Sequence, residues 1–153
     1  MEIFTGFSSE VALRFSDLDA MRHVNNARFL TLTEDARRDW ISLPVFKGTG
    51  IGAVAFIMAH AEIDFLHAVM PPEWKVRITT AVAAIGSSSF SIRHTLHHNE
   101  IHVATVQLVM VAFDYEKQVK RQLDALEKAA LEKFSLQANS PGAGSTTTAG
   151  TPA

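Results

Sequence analysis

Cysteine is absent from this chain of 153 residues, which excludes disulfide bonds, thiolate nucleophiles and cysteine metal sites. Charge of one sign is also lacking, because 14 basic and 16 acidic residues leave a formal net charge of -2, a poor match for nucleic acid. No apolar run approaches the roughly 20 residues that span a bilayer. The first residues have neither the basic nor the apolar part of a signal peptide. We therefore expect a cytoplasmic domain that binds neither nucleic acid nor membrane.

The length and composition are those of one globular domain. With 47% hydrophobic and 20% charged residues, the chain can bury a core of ordinary size. Residues 135–153 differ, because Ser, Thr, Gly, Ala and Pro dominate there and offer almost nothing to bury. We expect a domain over residues 1–134 and a disordered tail over residues 135–153.

The first third of the chain has a strand pattern followed by a helix pattern. Val11, Leu13 and Phe15 alternate with polar residues, which predicts a half-buried strand. Apolar residues then recur at the helical period over residues 27–42, with charged residues between them. Asn25 or Asn26 is a natural N-cap for this helix, because a side-chain amide oxygen can accept from an early backbone N–H.

Four strand-like runs and a last helical run make up the rest of the domain. The strands are predicted over residues 51–65, 74–85, 88–97 and 101–115, and the helix over residues 117–134. Short links between the runs favour a four-strand antiparallel meander. The early helix must then cover one face of that sheet, so the predicted fold class is α+β with two layers.

The link between the first strand and the first helix is the densest polar segment. Residues 15–28 contain two carboxylates, one imidazole and two carboxamides, from Asp17, Asp19, His23, Asn25 and Asn26. The link ends where a helix begins, and a helix start presents backbone N–H groups that have no partner within the helix. A carboxylate, an imidazole and an array of donors are the groups that acyl transfer requires. We interpret this segment as an active site.

The segment resembles the hotdog-fold thioesterases of the 4-hydroxybenzoyl-CoA thioesterase type. The family pattern is roughly an aromatic residue, Asp-x-Asp, then Gly-His-Val-Asn-Asn and a Tyr or Phe three residues on. This chain carries Phe15-x-Asp17-x-Asp19, His23-Val24-Asn25-Asn26 and Phe29. It departs from the pattern at Arg22, where glycine is frequent. The likeness extends over roughly residues 8–134 in the order of strands and helices.

The resemblance implies a specific fold and assembly. The fold is a curved antiparallel five-stranded sheet wrapped around a central helix, with a C-terminal helix. The strand over residues 51–65 would lie at the sheet edge and pair with its copy across a two-fold axis. A long apolar edge left bare is an aggregation hazard, so we expect a homodimer or tetramer with active sites at the subunit interface.

The resemblance also implies roles for the polar residues. Asp19, the second of the Asp-x-Asp pair, would be the catalytic carboxylate, either attacking the thioester carbonyl or activating a water. The backbone N–H of Asn26 would polarise the carbonyl. His23 would position the carbonyl or the carboxylate, or only shape the turn. Asn25 is an N-cap or a water-positioning residue, and Asp17 is a supporting acid or a turn and salt-bridge partner.

Other side chains are candidates for binding rather than chemistry. Three basic side chains could meet the phosphates of coenzyme A or simply face solvent; they are Lys75, Arg77 and Arg93. Apolar side chains that could line an acyl pocket are Phe29, Phe56, Met58, Phe65 and Met70. Four histidines cluster around one hairpin at positions 94, 97, 98 and 102. Only two of them would share a strand face, so we predict no metal site and no cofactor.

The leading hypothesis is an acyl-CoA thioesterase that releases a free acid and coenzyme A. A thioesterase acting on acyl carrier protein is the alternative within the same class, although a slightly acidic chain argues against that basic docking role. A non-catalytic module that binds acyl thioesters is the alternative from another class. The combination of Asp19, His23 and Asn25 favours catalysis over binding alone.

Overall fold

A computed structural model describes residues 6–136, and within them the chain forms one sheet and two α-helices. No helix in this part of the chain is long and apolar enough to cross a membrane. The elements in chain order are β1 (Phe7–Ala12), α1 (Arg28–Ile41), β2 (Phe56–Phe65), β3 (Lys75–Ile85), β4 (Ser89–His98), β5 (Ile101–Asp114), β6 (Val119–Lys120) and α2 (Ala125–Glu132). Short 3-10 turns lie at Phe15–Asp17 and Pro44–Phe46.

The sheet is antiparallel, with the strand order β1-β3-β4-β5-β2 and the short β6 beside β5. The predicted four-strand meander is wrong for β2, because β2 pairs with β5 and not with β3. Only β3, β4 and β5 follow one another as hairpins. The predicted α+β class and the hotdog arrangement of five main strands with a C-terminal helix are confirmed.

Helix α1 packs its apolar face on the sheet and forms the centre of the core. Phe29, Leu32, Ala36 and Trp40 on this face are all buried. They meet the inward-facing residues of the central strands, among which are Ile78, Ile92, Leu96, Val106 and Leu108. Each large side chain buried in this way contributes about 1.5–3 kcal/mol to stability. The helix bounds agree with the sequence prediction to within one residue at each end.

A fully buried histidine lies within this core. His94 on β4 is fully buried, and its Nδ1 lies 3.0 Å from Oγ1 of Thr80 on the neighbouring strand. Burial, assisted by the positive charge of Arg37 on α1, lowers the pKa of His94 from 6.5 to about 3. The neutral imidazole is therefore the form that the folded state accommodates.

The edge strand β2 begins later than predicted. Residues 51–54 form a turn, closed by the N–H of Val54 donating to the carbonyl of Ile51 at 2.9 Å. Gly52 lies so close to the carbonyl of Phe46 that a Cβ there would collide with it. Beyond the buried Phe56, nearly all of β2 is exposed.

The predicted helix over residues 117–134 is wrong in its first half. The carboxylate of Asp114 accepts from the N–H groups of Glu116 and Lys117, each at 3.0 Å, and turns the chain back into β6. Helix α2 begins only after Asp124, whose side chain accepts from the N–H of Glu127 at 2.8 Å. Val119 and Leu126, two apolar residues of the predicted helix, are both exposed.

The end of the described chain returns to the sheet. The N–H of Val82 donates to the carbonyl of Phe134 at 2.8 Å, and the N–H of Leu136 donates to the carbonyl of Val82 at 2.9 Å. Paired backbone therefore extends two residues past the predicted domain end. The remainder of the predicted tail, 137–153, lies outside the described residues.

A buried ion pair attaches α2 to the start of β2. Both guanidinium nitrogens of Arg121 lie 2.8 Å from the fully buried carboxylate of Glu127, and Nη2 also donates to the carbonyl of Ala55 at 2.9 Å. Gly50 lies against this pair, and a Cβ there would collide with the guanidinium. The pair thus connects three segments that are distant in sequence.

Removing one partner of this ion pair should destabilise the domain. In Glu127→Gln the half-buried guanidinium of Arg121 loses its counter-charge, a change that costs about 3–5 kcal/mol in a fully buried pair and less in this partly exposed one. Urea unfolding of the variant measures the loss, with Glu132→Gln on the exposed end of α2 as the matched control. An unfolding free energy equal to that of the control would contradict a stabilising role for the Arg121–Glu127 pair.

The buried His94 should make stability depend on pH. The unfolded chain takes up a proton near pH 6.5, whereas the folded state resists protonation down to about pH 3. Stability is therefore complete above pH 6.5 and is lost as the pH falls toward 3, by up to about 1.4 kcal/mol per pH unit. Urea unfolding at several pH values gives the free energy of unfolding as a function of pH. This free energy should change less with pH in His94→Asn than in the exposed control His60→Asn. An equal pH dependence in the two variants would contradict the assignment to His94.

Candidate active site

The link between β1 and α1 folds back on itself through its own backbone. Leu18 and Val24 form an isolated antiparallel bridge, and the N–H of Asp19 donates to the carbonyl of His23 at 2.8 Å. The N–H of Val24 donates to the carbonyl of Val69 at 2.9 Å, which fastens the link to the segment after β2. Residues 19–23 therefore form a closed loop at the surface, held at its base.

The two oxygens of the Asp19 carboxylate have different surroundings. Its Oδ1 accepts from the N–H of Met21 at 2.9 Å and from the N–H of His23 at 3.2 Å. Its Oδ2 has no hydrogen-bond partner within residues 6–136, and Asp19 lines a cavity. The turn thus fixes the direction of the carboxylate and leaves one oxygen available for chemistry.

Arg22 sits at the position where the family pattern described above has glycine. Its φ of 61° lies in the left-handed region, which for a residue with a Cβ costs about 1–2 kcal/mol. The tight turn is retained although the glycine is not. The guanidinium has no acceptor among the described residues, and only the backbone N–H is bonded, to the carbonyl of Asp19 at 3.0 Å.

Asp17 supports the link from inside and does not share a face with Asp19. Strand β1 ends at Ala12, and Asp17 lies in a 3-10 turn with its carboxylate fully buried. It accepts from the backbone N–H of Arg14 at 2.8 Å and pairs with that guanidinium at 3.3 Å. Because the strand has already ended, Phe15 is exposed, in contrast to its predicted place beside Leu13.

The residues just before α1 carry one engaged side chain and one open backbone donor. The side-chain oxygen of Asn25 accepts from the N–H of Ala27 at 2.9 Å. The N-cap position itself is occupied by Ala27, which has no side-chain cap, so the predicted N-cap at Asn25 or Asn26 is wrong. The carbonyl of Asn26 accepts from Phe29 at 3.3 Å, but the N–H of Asn26 has no acceptor within the described chain. A bare N–H at a helix start favours an anionic oxygen.

These groups meet in a cavity of about 410 Å³. Phe29 and Phe65 form its apolar side, edge to face with ring centroids 5.2 Å apart. The cavity is lined by Asp19, Met21, His23, Val24, Asn25, Asn26, Phe29, Phe65, Leu66, His67, Ala68 and Val69. A carboxylate, two imidazoles and an open backbone donor therefore surround one space with an apolar side.

Of the wall formed by residues 65–69, only Phe65 was singled out from the sequence, and Leu66, His67, Ala68 and Val69 were missed. The N–H groups of Leu66 and His67 both donate to the carbonyl of Val103 on β5, at 2.9 and 3.2 Å. This attachment turns the chain off the end of β2 and over the start of α1. The available signal was a histidine within an apolar run just before Pro71-Pro72.

A second cavity, of about 650 Å³, meets the first at Asp19. Its walls are mostly apolar side chains from the polar link and from the segment before β3. It is lined by Phe15, Leu18, Asp19, Ala20, Met21, Arg22, Met70, Pro71 and Trp74. Met70, one of the predicted acyl-pocket residues, belongs to this space and not to the first.

Two other predicted pocket residues lie elsewhere. Phe56 is buried against Phe90 with ring centroids 5.8 Å apart, and Met58 lies on the exposed edge strand. Neither residue lines either of the two cavities that contain Asp19.

The three basic residues predicted to bind coenzyme A have different surroundings. Lys75 pairs with Glu10 at 3.0 Å, and Arg77 makes a two-pronged pair with Glu100 at 2.9 and 3.0 Å. Arg93 is half-buried, and its Nε is without a partner in the described region. None of the three lines the two cavities at Asp19.

The histidines of the β4–β5 hairpin have different partners. His98 bonds the carbonyl of Glu73 at 2.9 Å, while the rings of His97 and His102 stack with centroids 5.2 Å apart. Within residues 6–136 no three His, Asp or Glu side chains come together as a metal site.

Comparison with known proteins identifies the family of this chain. The model of a family described as the thioesterase-like superfamily matches residues 13–137. A search of curated proteins gives no match.

Among solved structures, a thioesterase from Thermus thermophilus in complex with coenzyme A and zinc is 25% identical, with a TM-score of 0.75 over 90% of this chain and 99% of that one. A thioesterase superfamily protein from a Jannaschia species is 14% identical, with a TM-score of 0.78 over 88% and 96% of the two chains. A 1,4-dihydroxy-2-naphthoyl-CoA thioesterase from Synechocystis is 19% identical, with a TM-score of 0.69 over 82% and 94%. The last two likenesses concern the fold alone.

Neutralising Asp17 should weaken the fold. Asp17→Asn removes the ion pair with Arg14 and one acceptor from a fully buried site, at a cost of about 1–3 kcal/mol. Urea unfolding measures this loss, and Asp39→Asn on the exposed face of α1 is the control. An unchanged unfolding midpoint in Asp17→Asn would show that the buried carboxylate does not hold the link.

Proposed function

The chain belongs to the thioesterase-like superfamily and is a thioester hydrolase with the hotdog fold, and from that premise we propose that it hydrolyses acyl-CoA thioesters to a free acid and coenzyme A. The observation that carries the proposal is the open oxygen of Asp19, in the same cavity as the unpartnered N–H of Asn26. A reacting carbonyl between them would meet a carboxylate on one side and a donor on the other.

The start of α1 supplies the electrostatic part of the proposed reaction. When the thioester carbonyl oxygen accepts from the N–H of Asn26, the positive end of the helix stabilises the negative charge that develops on it. Because the donor belongs to the backbone, the geometry is fixed before the substrate arrives. Phe29 and Phe65 give the acyl group an apolar surface beside this point.

Asp19 supplies the other part by one of two routes. In the first, Oδ2 attacks the carbonyl carbon, the thiolate of coenzyme A leaves, and water hydrolyses the resulting anhydride. In the second, Oδ2 takes a proton from water as that water attacks, and the thiol leaves with a proton. A single turnover in ¹⁸O-labelled water separates them, because only the anhydride route can place the label in Asp19.

The two histidines of the cavity are positioning residues in this proposal. The side chain of His23 has no hydrogen-bond partner within the described residues, while its backbone is bonded twice to Asp19. The imidazole is therefore anchored next to the carboxylate and can orient the substrate carbonyl or the water. His67 reaches the same space from the opposite wall.

The choice of coenzyme A as leaving group rests on the structural relatives. The Thermus thermophilus structure, which contains coenzyme A, supports a substrate of this kind. Among the predicted ligands, Lys75 and Arg77 are already paired with carboxylates, so phosphate contacts at these positions require an exchange of partners. Arg93 keeps an unpaired Nε.

We also infer that the protein is a homodimer or homotetramer joined through β2. One edge of β2 pairs with β5 and the other edge has no neighbour in the described chain. Ile57 and Met58 are each 39% exposed on this bare strand. A copy paired along this edge would cover them and would lie next to the cavity, because Phe65 at the end of β2 forms part of its wall.

Replacing the carboxylate of Asp19 tests the catalytic proposal. In Asp19→Asn the amide oxygen can still accept from Met21 and His23, so the turn is kept while the reactive oxygen is lost. Turnover of acyl-CoA thioesters should fall by about 10²-fold or more. Thiol release read with a thiol-reactive dye measures it, and the chain contributes no background because it has 0 cysteines.

Asp39→Asn is the matched control and should keep wild-type turnover. Full activity in Asp19→Asn would contradict the proposal. Saturable binding of acyl-CoA without thiol release from the wild type would favour a binding module in its place.

A charge placed on β2 tests the assembly. Ile57→Lys sets a positive charge on the edge and should shift the protein from dimer or tetramer toward monomer. Analytical ultracentrifugation over a range of concentrations measures the shift. The control Lys47→Gln changes an exposed residue away from the edge, and a wild type that sediments as a monomer would refute the inferred assembly.

A further inference from the structure

Arg22 combines backbone strain with an unused charge. Its φ of 61° is a conformation that a glycine would adopt without cost, yet the residue is an arginine. Its guanidinium finds no acceptor within residues 6–136, whereas Arg14, Arg77 and Arg121 each pair with a carboxylate. A strained position occupied by an unpaired cation points to a function for the side chain.

The surroundings of Arg22 are apolar and open. The second cavity is lined by large side chains that remain exposed in the described chain, with Phe15 at 85%, Met70 at 50% and Trp74 at 42%. Asp19 lies at the junction of this cavity with the first. A molecule whose reacting carbon sits at Asp19 can therefore extend one arm along these apolar side chains toward Arg22.

We propose that Arg22 is a specificity-determining residue that binds an anionic group of the thioester substrate, with the adjoining arm of the substrate lying along Phe15, Met70 and Trp74. The inference deepens the proposed function and rests on it. The guanidinium suits phosphate or carboxylate, since its planar donors bond either group in pairs.

The anion has two possible sources. It is a phosphate of coenzyme A if the second cavity takes the leaving group. It is a carboxylate at the far end of the acyl chain if the second cavity takes the acyl group. The two possibilities place opposite halves of the substrate beside Trp74. Substrates that carry only one of the two anions distinguish between them.

The experiment uses four substrates built on the acyl group that the wild type hydrolyses fastest. Two are its thioesters with coenzyme A and with N-acetylcysteamine, which lacks phosphate. The other two carry the same acyl chain with a terminal carboxylate on each carrier. Steady-state kinetics are measured for wild type, Arg22→Gln, Arg22→Lys, Arg22→Gly and the control Arg38→Gln, whose arginine lies on the exposed face of α1.

With phosphate as the anion, Arg22→Gln should raise KM about tenfold for both coenzyme A thioesters and leave the plain N-acetylcysteamine thioester unchanged. With carboxylate as the anion, Arg22→Gln should raise KM only for the two substrates that have a terminal carboxylate, whether the carrier is coenzyme A or N-acetylcysteamine. In both cases kcat should change little, Arg22→Lys should recover most of the affinity, and Arg38→Gln should match the wild type.

Arg22→Gly separates charge from backbone strain. It should show the same KM as Arg22→Gln and unfold at a higher temperature, because glycine accepts the left-handed backbone. A stability gain without any change in KM would mean that Arg22 has no role in binding, and the inference would be wrong.

The outcomes also separate this inference from the proposed function. An equal rise in KM for all four substrates, or no rise for any, would overturn the role of Arg22 while leaving the thioesterase proposal intact if Asp19→Asn is inactive. A wild type that hydrolyses none of the thioesters would overturn both.

Discussion

The site depends on the backbone hydrogen bonds made around one buried residue, Val24, and by its own N–H. Its pairing with Leu18 closes the polar link into a loop, and its N–H fastens that loop to the carbonyl of Val69. The first contact gives Asp19 its direction, and the second brings the wall over residues 65–69 to face it. Without these main-chain contacts the polar residues would be a flexible connection between a strand and a helix.

Backbone hydrogen bonds and a buried ion pair fix the shape of the site. The atoms proposed to react are therefore free of structural hydrogen bonds. Asp17 is fully buried and paired with Arg14, whereas Asp19 two residues on keeps one oxygen open. Of the two carboxylates in this short motif, Asp17 therefore stabilises the link and Asp19 is available for chemistry. The difference arises because β1 ends at Ala12 and the chain then winds through a 3-10 turn, which breaks the alternation that would have put both on one face.

The sequence predicted local structure well and distant pairing poorly. Helix α1 and strands β3, β4 and β5 were predicted to within about a residue, because each has a clear period and a turn signal at its ends. The turn before β2 and the strand β6 were missed. They depend on the buried pair of Arg121 with Glu127 and on the close approach of Gly50, contacts between segments that no local period reveals. Within the site, the motif indicated the polar residues, but the opposite wall came from the chain after β2.

The way this opposite wall is attached bears on how the protein can change over evolution. Of the exposed residues 66–68, Leu66 and His67 are held by main-chain hydrogen bonds to Val103 and not through their side chains. Mutations here can therefore alter the shape and polarity of the cavity while the scaffold keeps its stability. The acceptance of new acyl groups and the integrity of the fold are in this sense separate traits, open to selection one at a time.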